Sequence, residues 1–343
     1  ALGALEVRAR NAPLARRHFE QALSIQERAL GPAHPLTGNT RLELARLDLA
    51  AGDLETAWET AHRVVQEELE LGEDLFARAS ERQALRLAAR VAAARDVMMS
   101  AAVVRGRAGG AHGWTGGATV ERTYAAAMRS RGRVLDHLAA RHHAVASPGG
   151  DPMTRALAAR LARARQQLAN LVQRGPGTAH PERYPEYLRL AAAEKEEIGG
   201  ALARALAARQ ATGSPHRAPP GAKAGGGPDP AAIIRALRGM NAALIEYVRF
   251  ERALAGKRTA PSDAAFVLTP GGKIDLVAIG PAAETDSLIL AYRAAVEDPG
   301  ASEPRLEHAA RDLYDRVWAP VAPFLPPPGA DAAGDGGLVF VLP

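Results

Sequence analysis

The chain has 343 residues and a mass of 36.0 kDa, which at roughly 150 residues per domain is enough for about two domains. Hydrophobic residues make up 47%, charged residues 24% and aromatic residues 4%, a composition that excludes a disordered chain and favours helices around an aliphatic core. Cysteine is absent, so these residues supply no disulfide, thiolate metal site or cysteine nucleophile.

The formal net charge is +5, and 39 of the 43 basic residues are arginine. A nucleic-acid binder concentrates basic side chains in a stripe with aromatic residues for stacking, whereas arginine is scattered here among glutamate along helical segments. Nucleic-acid binding is therefore not the expected function. No uncharged apolar run approaches the ~18 residues of a membrane span, and no signal pattern follows Ala1. We expect a soluble, cytoplasmic protein without membrane association.

Residues 1–75 are predicted to form paired helices. Apolar residues recur at helical spacing from Leu14 to Leu30, and Gly31-Pro32 ends that helix. A second helix is predicted from Arg41 to Ala50, and a third begins at Leu54 after a Gly-Asp break.

The helical pattern around Ala15 recurs around Ala57, 42 residues later, and a fixed period of this size indicates a helical repeat. The runs His18–Ile25 and Ala29–Pro35 resemble the repeat of kinesin-light-chain-type tetratricopeptide proteins, and Ala50–Leu54 resembles the turn inside the next repeat. The resemblance implies a solenoid that binds a protein or peptide partner on its concave face. One or two repeats cannot bury their faces alone, so we expect more repeats before Ala1.

Residues 76–210 form a second predicted helical segment. The apolar pattern predicts helices at Phe76–Val104, Val120–Val145, Pro152–Gln173 and Tyr184–Arg209. The Gly-rich stretch Gly106–Gly117 resembles no phosphate loop, because no strand precedes it and no Gly-Lys-Ser/Thr follows. We interpret it as a flexible connection, and Glu194–Glu197 as a solvated charged face.

Residues 211–230 are rich in glycine and proline and are predicted to be a linker. The pattern then changes to that of an α/β layer over residues 231–343. Strands are predicted at Ala243–Phe250, Ala264–Thr269, Ile274–Ile279 and Leu338–Leu342, helices at Thr285–Val296 and Pro304–Trp318, and a turn at Pro270–Lys273. The predicted fold class is mainly α, with a helical-repeat solenoid and a C-terminal α/β part.

The second half resembles the front part of a CHAT domain, the caspase-like and separase-like cysteine peptidase family that is usually attached to tetratricopeptide repeats. Ordered segments over roughly residues 76–343 carry the resemblance: Tyr124, Arg131–Asp136, Arg165–Leu171, Glu194–Ile198, Ala243–Tyr247, Ala265–Gly272, Ile279–Ala282 and Leu313–Pro320. It implies a caspase-like sheet that is incomplete within residues 231–343.

In this family the catalytic His and Cys lie beyond the strand that resembles Val339–Leu342, so no catalytic residue is carried over to any position of this sequence. A cysteine peptidase needs a thiolate and a nearby His, and the sequence has no cysteine. We therefore expect a fragment of a bacterial-style tetratricopeptide-CHAT protein that is inactive as it stands, without cofactor or metal. The alternative is a non-enzymatic tetratricopeptide adaptor.

Other residues with catalytic or ligand chemistry have simpler interpretations. The adjacent His142 and His143 point about 100° apart on a helix and do not form a metal pair. His34 and His180 precede proline and are expected in turns, while His112, His216 and His308 have no acid or serine partner by spacing. Glu246, inside an apolar strand, is expected to face an edge or to pair with arginine, and a functional role is the alternative.

Overall fold

The computed structural model describes residues 11–32, 34–108, 113–115, 117–146, 151–176, 181–211, 229–253, 259–326 and 338–342. The helices are α1 (Ala12–Leu30), α2 (Pro35–Ala51), α3 (Leu54–Arg78), α4 (Glu81–Ala108), α5 (Ala118–Ser130), α6 (Arg133–Ala146), α7 (Pro152–Arg174), α8 (Tyr184–Ala211), α9 (Pro230–Gly239), α10 (Ala282–Glu297) and α11 (Glu303–Val317). The strands are β1 (Gly113–Thr115), β2 (Ala242–Ala253), β3 (Thr259–Leu268), β4 (Ile274–Pro281) and β5 (Leu338–Leu342). The predicted fold class, mainly α with an α/β part, is confirmed.

The chain divides into two compact units. The first consists of Ala1–Glu68, Ala92–Arg129 and Gly227–Pro343, and the second of Leu69–Val91 and Ser130–Gly226. The first unit therefore combines the N-terminal helices with the C-terminal sheet, although more than 100 residues separate them along the chain. Most of the predicted linker, residues 212–228, lies outside the described residues.

The ends of the N-terminal helices follow from local polar chemistry. Asn11 caps α1, because its side chain accepts a hydrogen bond from the Leu14 N–H at 3.3 Å. Gly52 ends α2 in the left-handed conformation at φ 85°, which glycine adopts without steric cost. The Asp53 carboxylate then accepts from the Thr56 N–H at 3.2 Å at the start of α3. The predicted turn at Ala50–Leu54 is confirmed.

Three predictions for the middle of the chain are wrong in detail. The helix predicted over Phe76–Val104 is interrupted, because α3 ends at Arg78 and α4 begins at Glu81. The helix predicted over Val120–Val145 is two helices, since α5 ends at Ser130 and Gly132 adopts a φ of 68° before α6 begins. Part of the stretch predicted as a flexible connection is ordered: β1 pairs antiparallel with β4, with Trp114 opposite Leu276.

The strands form one mixed sheet in the order β1-β4-β3-β2-β5. β2, β3 and β4 are antiparallel neighbours, whereas β5 runs parallel to β2. The segment Ala264–Leu268 is fully buried at every residue, which requires cover on both faces of the sheet and explains why its sequence is continuously apolar. The predicted turn at Pro270–Lys273 is confirmed by the hydrogen bond from the Thr269 N–H to the Lys273 carbonyl at 3.0 Å.

Different elements cover the two faces of this sheet. On one face, Tyr124 of α5 meets Phe266 edge-on with ring centroids 5.0 Å apart, and Ser100 of α4 accepts a hydrogen bond from the Ala253 N–H at 2.9 Å. On the other face, Ile245, Val267 and their neighbours pack with Val321 and half-buried Trp318. The Tyr247 hydroxyl donates to the Val317 carbonyl at 2.9 Å and so satisfies the end of α11. The first unit therefore has a core of three layers, with the sheet between elements that cover its two faces.

The second unit is helical, and polar contacts link α8 to the start of α4. Ser80 and Gln83 form a reciprocal capping box, in which the Ser80 N–H donates to Gln83 Oε1 at 2.9 Å and the Gln83 N–H donates to Ser80 Oγ at 3.3 Å. Glu196 adds its carboxylate, which accepts from Ser80 Oγ at 2.5 Å and from the Arg82 N–H at 3.2 Å. Because Lys195 and Glu196 are mostly buried, at 21% and 15% side-chain exposure, the predicted solvated face at Glu194–Glu197 is wrong for these two residues.

We expect Glu196→Gln to lower the free energy of unfolding by about 1–2 kcal/mol at pH 7, since a carboxylate at a helix N-terminus loses its charge. Burial alone raises the pKa of Glu196, but the hydrogen bonds from Ser80 and Arg82 and the charge of Lys195 lower it below the ordinary 4.5. The stabilisation is therefore present above this ordinary value and is lost as the pH falls through the lowered pKa.

Urea unfolding of Glu196→Gln and of the parent chain at several pH values measures this difference. The matched control is Glu194→Gln on the exposed side of the same helix, for which we expect no change beyond about 0.5 kcal/mol. A Glu196→Gln effect that stays constant between neutral and acidic pH would contradict the assigned charge contribution.

Candidate protein-interaction site

Helices α1, α2 and α3 form a close-packed array that rests on small residues. Ala15 on α1, Ala45 on α2, and Ala57 and Ala61 on α3 are all completely buried. Side chains of this size let helix backbones approach each other closely. The equivalence of Ala15 and Ala57 that the 42-residue spacing predicts is thus matched by equal burial.

Arg41 of α2 joins all three helices of the array. Its guanidinium donates to Glu27 of α1 at 2.7 Å, to Glu67 of α3 at 2.7 Å and to the Pro32 carbonyl at 3.1 Å. Arg41 is 8% exposed. Burial lowers the pKa of Arg41, but the hydrogen bonds and charges of Glu27 and Glu67 outweigh it and place the pKa above its ordinary value. A second ion pair joins Arg16 of α1 to Asp48 of α2.

α2 presents only one narrow side to solvent. Its other sides are occupied by buried residues, among them Thr37, Arg41, Leu44 and Asp48. Apart from Leu49 and Ala51 near its C-terminal end, the residues of α2 that remain accessible lie mainly three or four positions apart and so share one stripe of the helix. We name this stripe the α2 face; it consists of Leu36, Asn39, Glu43, Arg46, Leu47 and Ala50.

The chemistry of the α2 face is mixed. Leu36, 51% exposed, lies at its N-terminal end, and half-buried Leu47 and exposed Ala50 lie at its C-terminal end. Between them lie the exposed Asn39 amide and an ion pair of Arg46 with Glu43 at 2.7 Å. Apolar contacts at both ends and hydrogen-bonding groups in the middle are typical of a surface that receives a peptide.

Trp58 connects the array of α1–α3 to α5, the helix that contacts one face of the sheet through Tyr124. Its indole Nε1–H donates to Thr123 Oγ1 of α5 at 2.9 Å, and the ring is 1% exposed. His62 stacks on one side of the indole with centroids 4.7 Å apart, and the Arg122 guanidinium lies 4.7 Å from its centroid. Burial, with the charges of Arg122 and Arg129, lowers the pKa of His62 and so favours its neutral form.

The structure places the histidines considered from sequence apart from any catalytic cluster in the described residues. His34 accepts the Leu36 N–H at 3.2 Å through Nδ1, which confirms its role in a turn. His142 and His143 are exposed, with ring centroids 6.3 Å apart and planes at 85°. His308 contacts Asp312, four residues further along the exposed surface of α11, at 3.4 Å, so the expectation that it has no acidic partner by spacing is wrong. His112, His180 and His216 lie outside the described residues.

Glu246 lies in β2 with 3% exposure. Its strand pairs with β3 on one side and with β5 on the other, where Glu246 stands opposite Leu342. The expectation that it faces a sheet edge is therefore wrong, because β2 is an inner strand. A functional role for this carboxylate stays untested.

Over the described ranges, no group of three His, Asp or Glu side chains is arranged to hold a metal ion. Among the helices that the structure describes, none combines the length and apolar character that crossing a membrane requires.

The short turns, buried alanines and interhelical ion pairs of α1–α3 define a helical-repeat architecture. Residues 1–65 match the family model described as tetratricopeptide repeat, and this match supports a tetratricopeptide-repeat protein that takes part in protein–protein interaction. No curated protein and no solved structure matches the chain. The match covers α1, α2 and the first part of α3, the elements that build the α2 face.

Sequence reasoning found the repeat but missed the residues that build its surface. The stripe of the α2 face could have been found, because its three-and-four spacing is present in the sequence. The three contacts of Arg41 and the Thr123 partner of Trp58 could not, since they join positions up to 65 residues apart.

Proposed function

We propose that the α2 face binds an extended peptide segment of a partner protein and is the inner, concave face of the repeat array. The carrying observation is that α2 is buried on all sides but one, and that this side combines apolar ends with an exposed amide. The Asn39 amide has two donors and one acceptor oxygen, so it can pair with both the N–H and the C=O of a peptide backbone. Leu36 and Leu47 provide apolar contacts on either side.

The charge of the α2 face favours a partner segment without strong net charge. Glu43 and Arg46 neutralise each other at 2.7 Å, and the remaining side chains of the face are uncharged. Binding therefore depends on apolar contact and backbone hydrogen bonds more than on long-range attraction. Its affinity should vary little with salt.

A library of random peptides displayed on phage, selected on the 343-residue chain, tests this function. We expect the selected peptides to lose at least about tenfold in affinity on the double variant Asn39→Ala, Leu47→Glu, because one anchor becomes charged and the amide is lost. The matched control is Glu55→Gln, Glu59→Gln on the exposed side of α3, which should bind within about twofold of the parent. Peptides that bind both double variants equally would place the binding surface elsewhere.

We further propose that the sheet of the first unit is the front part of a CHAT-type peptidase domain, with the catalytic His and Cys supplied by sequence outside these 343 residues. The ordered resemblance over residues 76–343 motivates this proposal, and β5 supports it. Every residue of Leu338–Leu342 is apolar, and each is 38–58% exposed. An exposed apolar edge strand is rare unless another strand and covering helices pack against it.

The experiment for this second proposal uses the native full-length product translated from its gene. We expect thiol-dependent cleavage of a protein substrate that iodoacetamide abolishes, since the nucleophile would be a cysteine thiolate. A full-length product without such activity in the presence of its binding partner would favour the non-enzymatic adaptor. Peptide binding to the α2 face is measured separately, so failure of one proposal leaves the other decidable.

A further inference from the structure

α7 carries the largest net positive charge of the helices that the structure describes. α7 contains five arginines and no acidic residue over Pro152–Arg174, while the whole chain has a net charge of +5. The other residues together are therefore neutral. The neighbouring α8 illustrates this balance, because its four acidic and four basic residues cancel.

The arginines of α7 are not equivalent. Arg165 pairs with Glu81 at 3.2 Å. Arg160, Arg163 and Arg174 are exposed, and in the part of the chain that the structure describes they form no ion pair with an acidic side chain. Spacings of three and eleven residues place them on one stripe of the helix, with about 21 Å between the first and the last.

Amide and small side chains complete this stripe. Gln167 is exposed and Asn170 half-buried between Arg163 and Arg174, and both fall on the same side of α7. Exposed alanines, Ala156 and Ala159 among them, lie on or beside the stripe. The opposite, apolar side of α7 faces α8, where Gly199 lies against Leu161. We name the exposed stripe of Ala156, Ala159, Arg160, Arg163, Gln167, Asn170 and Arg174 the α7 basic face.

We infer that the α7 basic face is a docking surface for an acidic amphipathic helix of a partner protein. Charge complementarity supports this inference, because guanidinium groups in a row can donate hydrogen bonds to carboxylates at the same spacing on a facing helix. The alanines permit the approach of another helix to the 8–10 Å typical of helix pairs. This surface is independent of the peptide-binding α2 face.

A nucleic acid fits the α7 basic face less well. α7 contains no aromatic residue on which a base could stack. Three guanidinium groups neutralise few phosphates, whereas proteins that bind DNA through its backbone typically use about 6–10 such contacts. A row of ion pairs between two helices needs no more than the groups already present.

A synthetic peptide probes this surface directly. The probe is an alanine-rich helix of about 20 residues, some 30 Å long, with glutamates at the spacing of Arg160, Arg163, Gln167 and Arg174. A scrambled peptide of the same composition and a duplex DNA of similar length serve as competitors. Fluorescence anisotropy measures their binding to the 343-residue chain at about 50 and about 200 mM salt.

The triple variant Arg160→Gln, Arg163→Gln, Arg174→Gln should weaken binding of the glutamate peptide at least about tenfold, because three exposed ion pairs are lost. Glutamine has nearly the helix propensity of arginine, so α7 should remain folded, and circular dichroism verifies this. The control triple Arg189→Gln, Arg204→Gln, Arg293→Gln removes the same charge from exposed positions elsewhere and should leave the affinity within about twofold.

Three results would overturn the inference. Equal losses in both triple variants would mean that net charge alone attracts the peptide. Equal affinity for the scrambled peptide would mean that binding does not depend on the spacing of the glutamates along the helix. Tighter binding of the DNA than of the glutamate peptide would assign the surface to a nucleic acid instead.

Discussion

Trp58→Ala is expected to lower the free energy of unfolding by about 3–5 kcal/mol, the usual cost of deleting a buried tryptophan. Trp58 is 1% exposed, and its removal leaves a cavity bounded by His62 and Arg122. The substitution also leaves Thr123 Oγ1 without the indole donor at 2.9 Å. Because Thr123 belongs to α5, whose Tyr124 contacts Phe266 in the sheet, the loss should reach the sheet as well as the repeats.

Two milder substitutions separate packing from hydrogen bonding at Trp58. Trp58→Phe retains an aromatic ring, and Thr123→Val removes the acceptor while keeping the volume, so each should cost about 1–2 kcal/mol. Combined, their losses should be less than additive, because they remove the same hydrogen bond. Urea unfolding followed by circular dichroism gives these values. A Trp58→Ala loss below about 1 kcal/mol would contradict the stabilising contacts that we assign to Trp58.

The elements that sequence predicted well are those whose signal is local. Ala264–Leu268 is predicted as a strand because a short run of five apolar residues that ends at a Pro-Gly-Gly turn is typical of a strand covered on both faces. The turn after it is specified by Gly271-Gly272, and Gly272 indeed adopts a φ of 90°. The turn at Gly52 follows the same logic.

Other features depend on contacts that no local pattern encodes. Gly132 interrupts an otherwise continuous helical pattern, and only its φ of 68° shows that the helix ends there. Glu194 and Glu196 are chemically identical in sequence, yet Glu194 is exposed whereas Glu196 contacts Ser80, 116 residues away. Their difference arises from how α8 packs against the start of α4.

The candidate site also combines a feature with a local sequence signal and a feature that depends on distant contacts. The repeat that carries the α2 face could be recognised from the period between Ala15 and Ala57. The face itself depends on which side of α2 the neighbours leave open, and Arg41 fixes that side through its contacts with α1 and α3. Removing Arg41 therefore tests both the stability of the array and the presentation of the α2 face.

Arg41→Ala should lower the free energy of unfolding by about 2–3 kcal/mol, because it leaves the Pro32 carbonyl and two carboxylates without their buried cation. Glu27 is partly exposed, at 41%, and its solvation limits the loss. Arg41→Lys keeps the charge but cannot reach Glu27, Glu67 and Pro32 with one planar group, so it should restore less than half of the stability.

Arg46→Ala is the matched control for Arg41→Ala, since Arg46 lies on the same helix but forms only a partly exposed pair with Glu43; we expect at most about 0.5 kcal/mol. Urea unfolding at pH 7 measures all three variants. The peptides selected on the parent chain should also bind Arg41→Ala more weakly, because α2 is no longer held to α1 and α3 at the same position. Equal stability of the Arg41 and Arg46 variants would show that the alanine packing alone holds the array, and unchanged peptide affinity would show that the α2 face does not depend on this arginine.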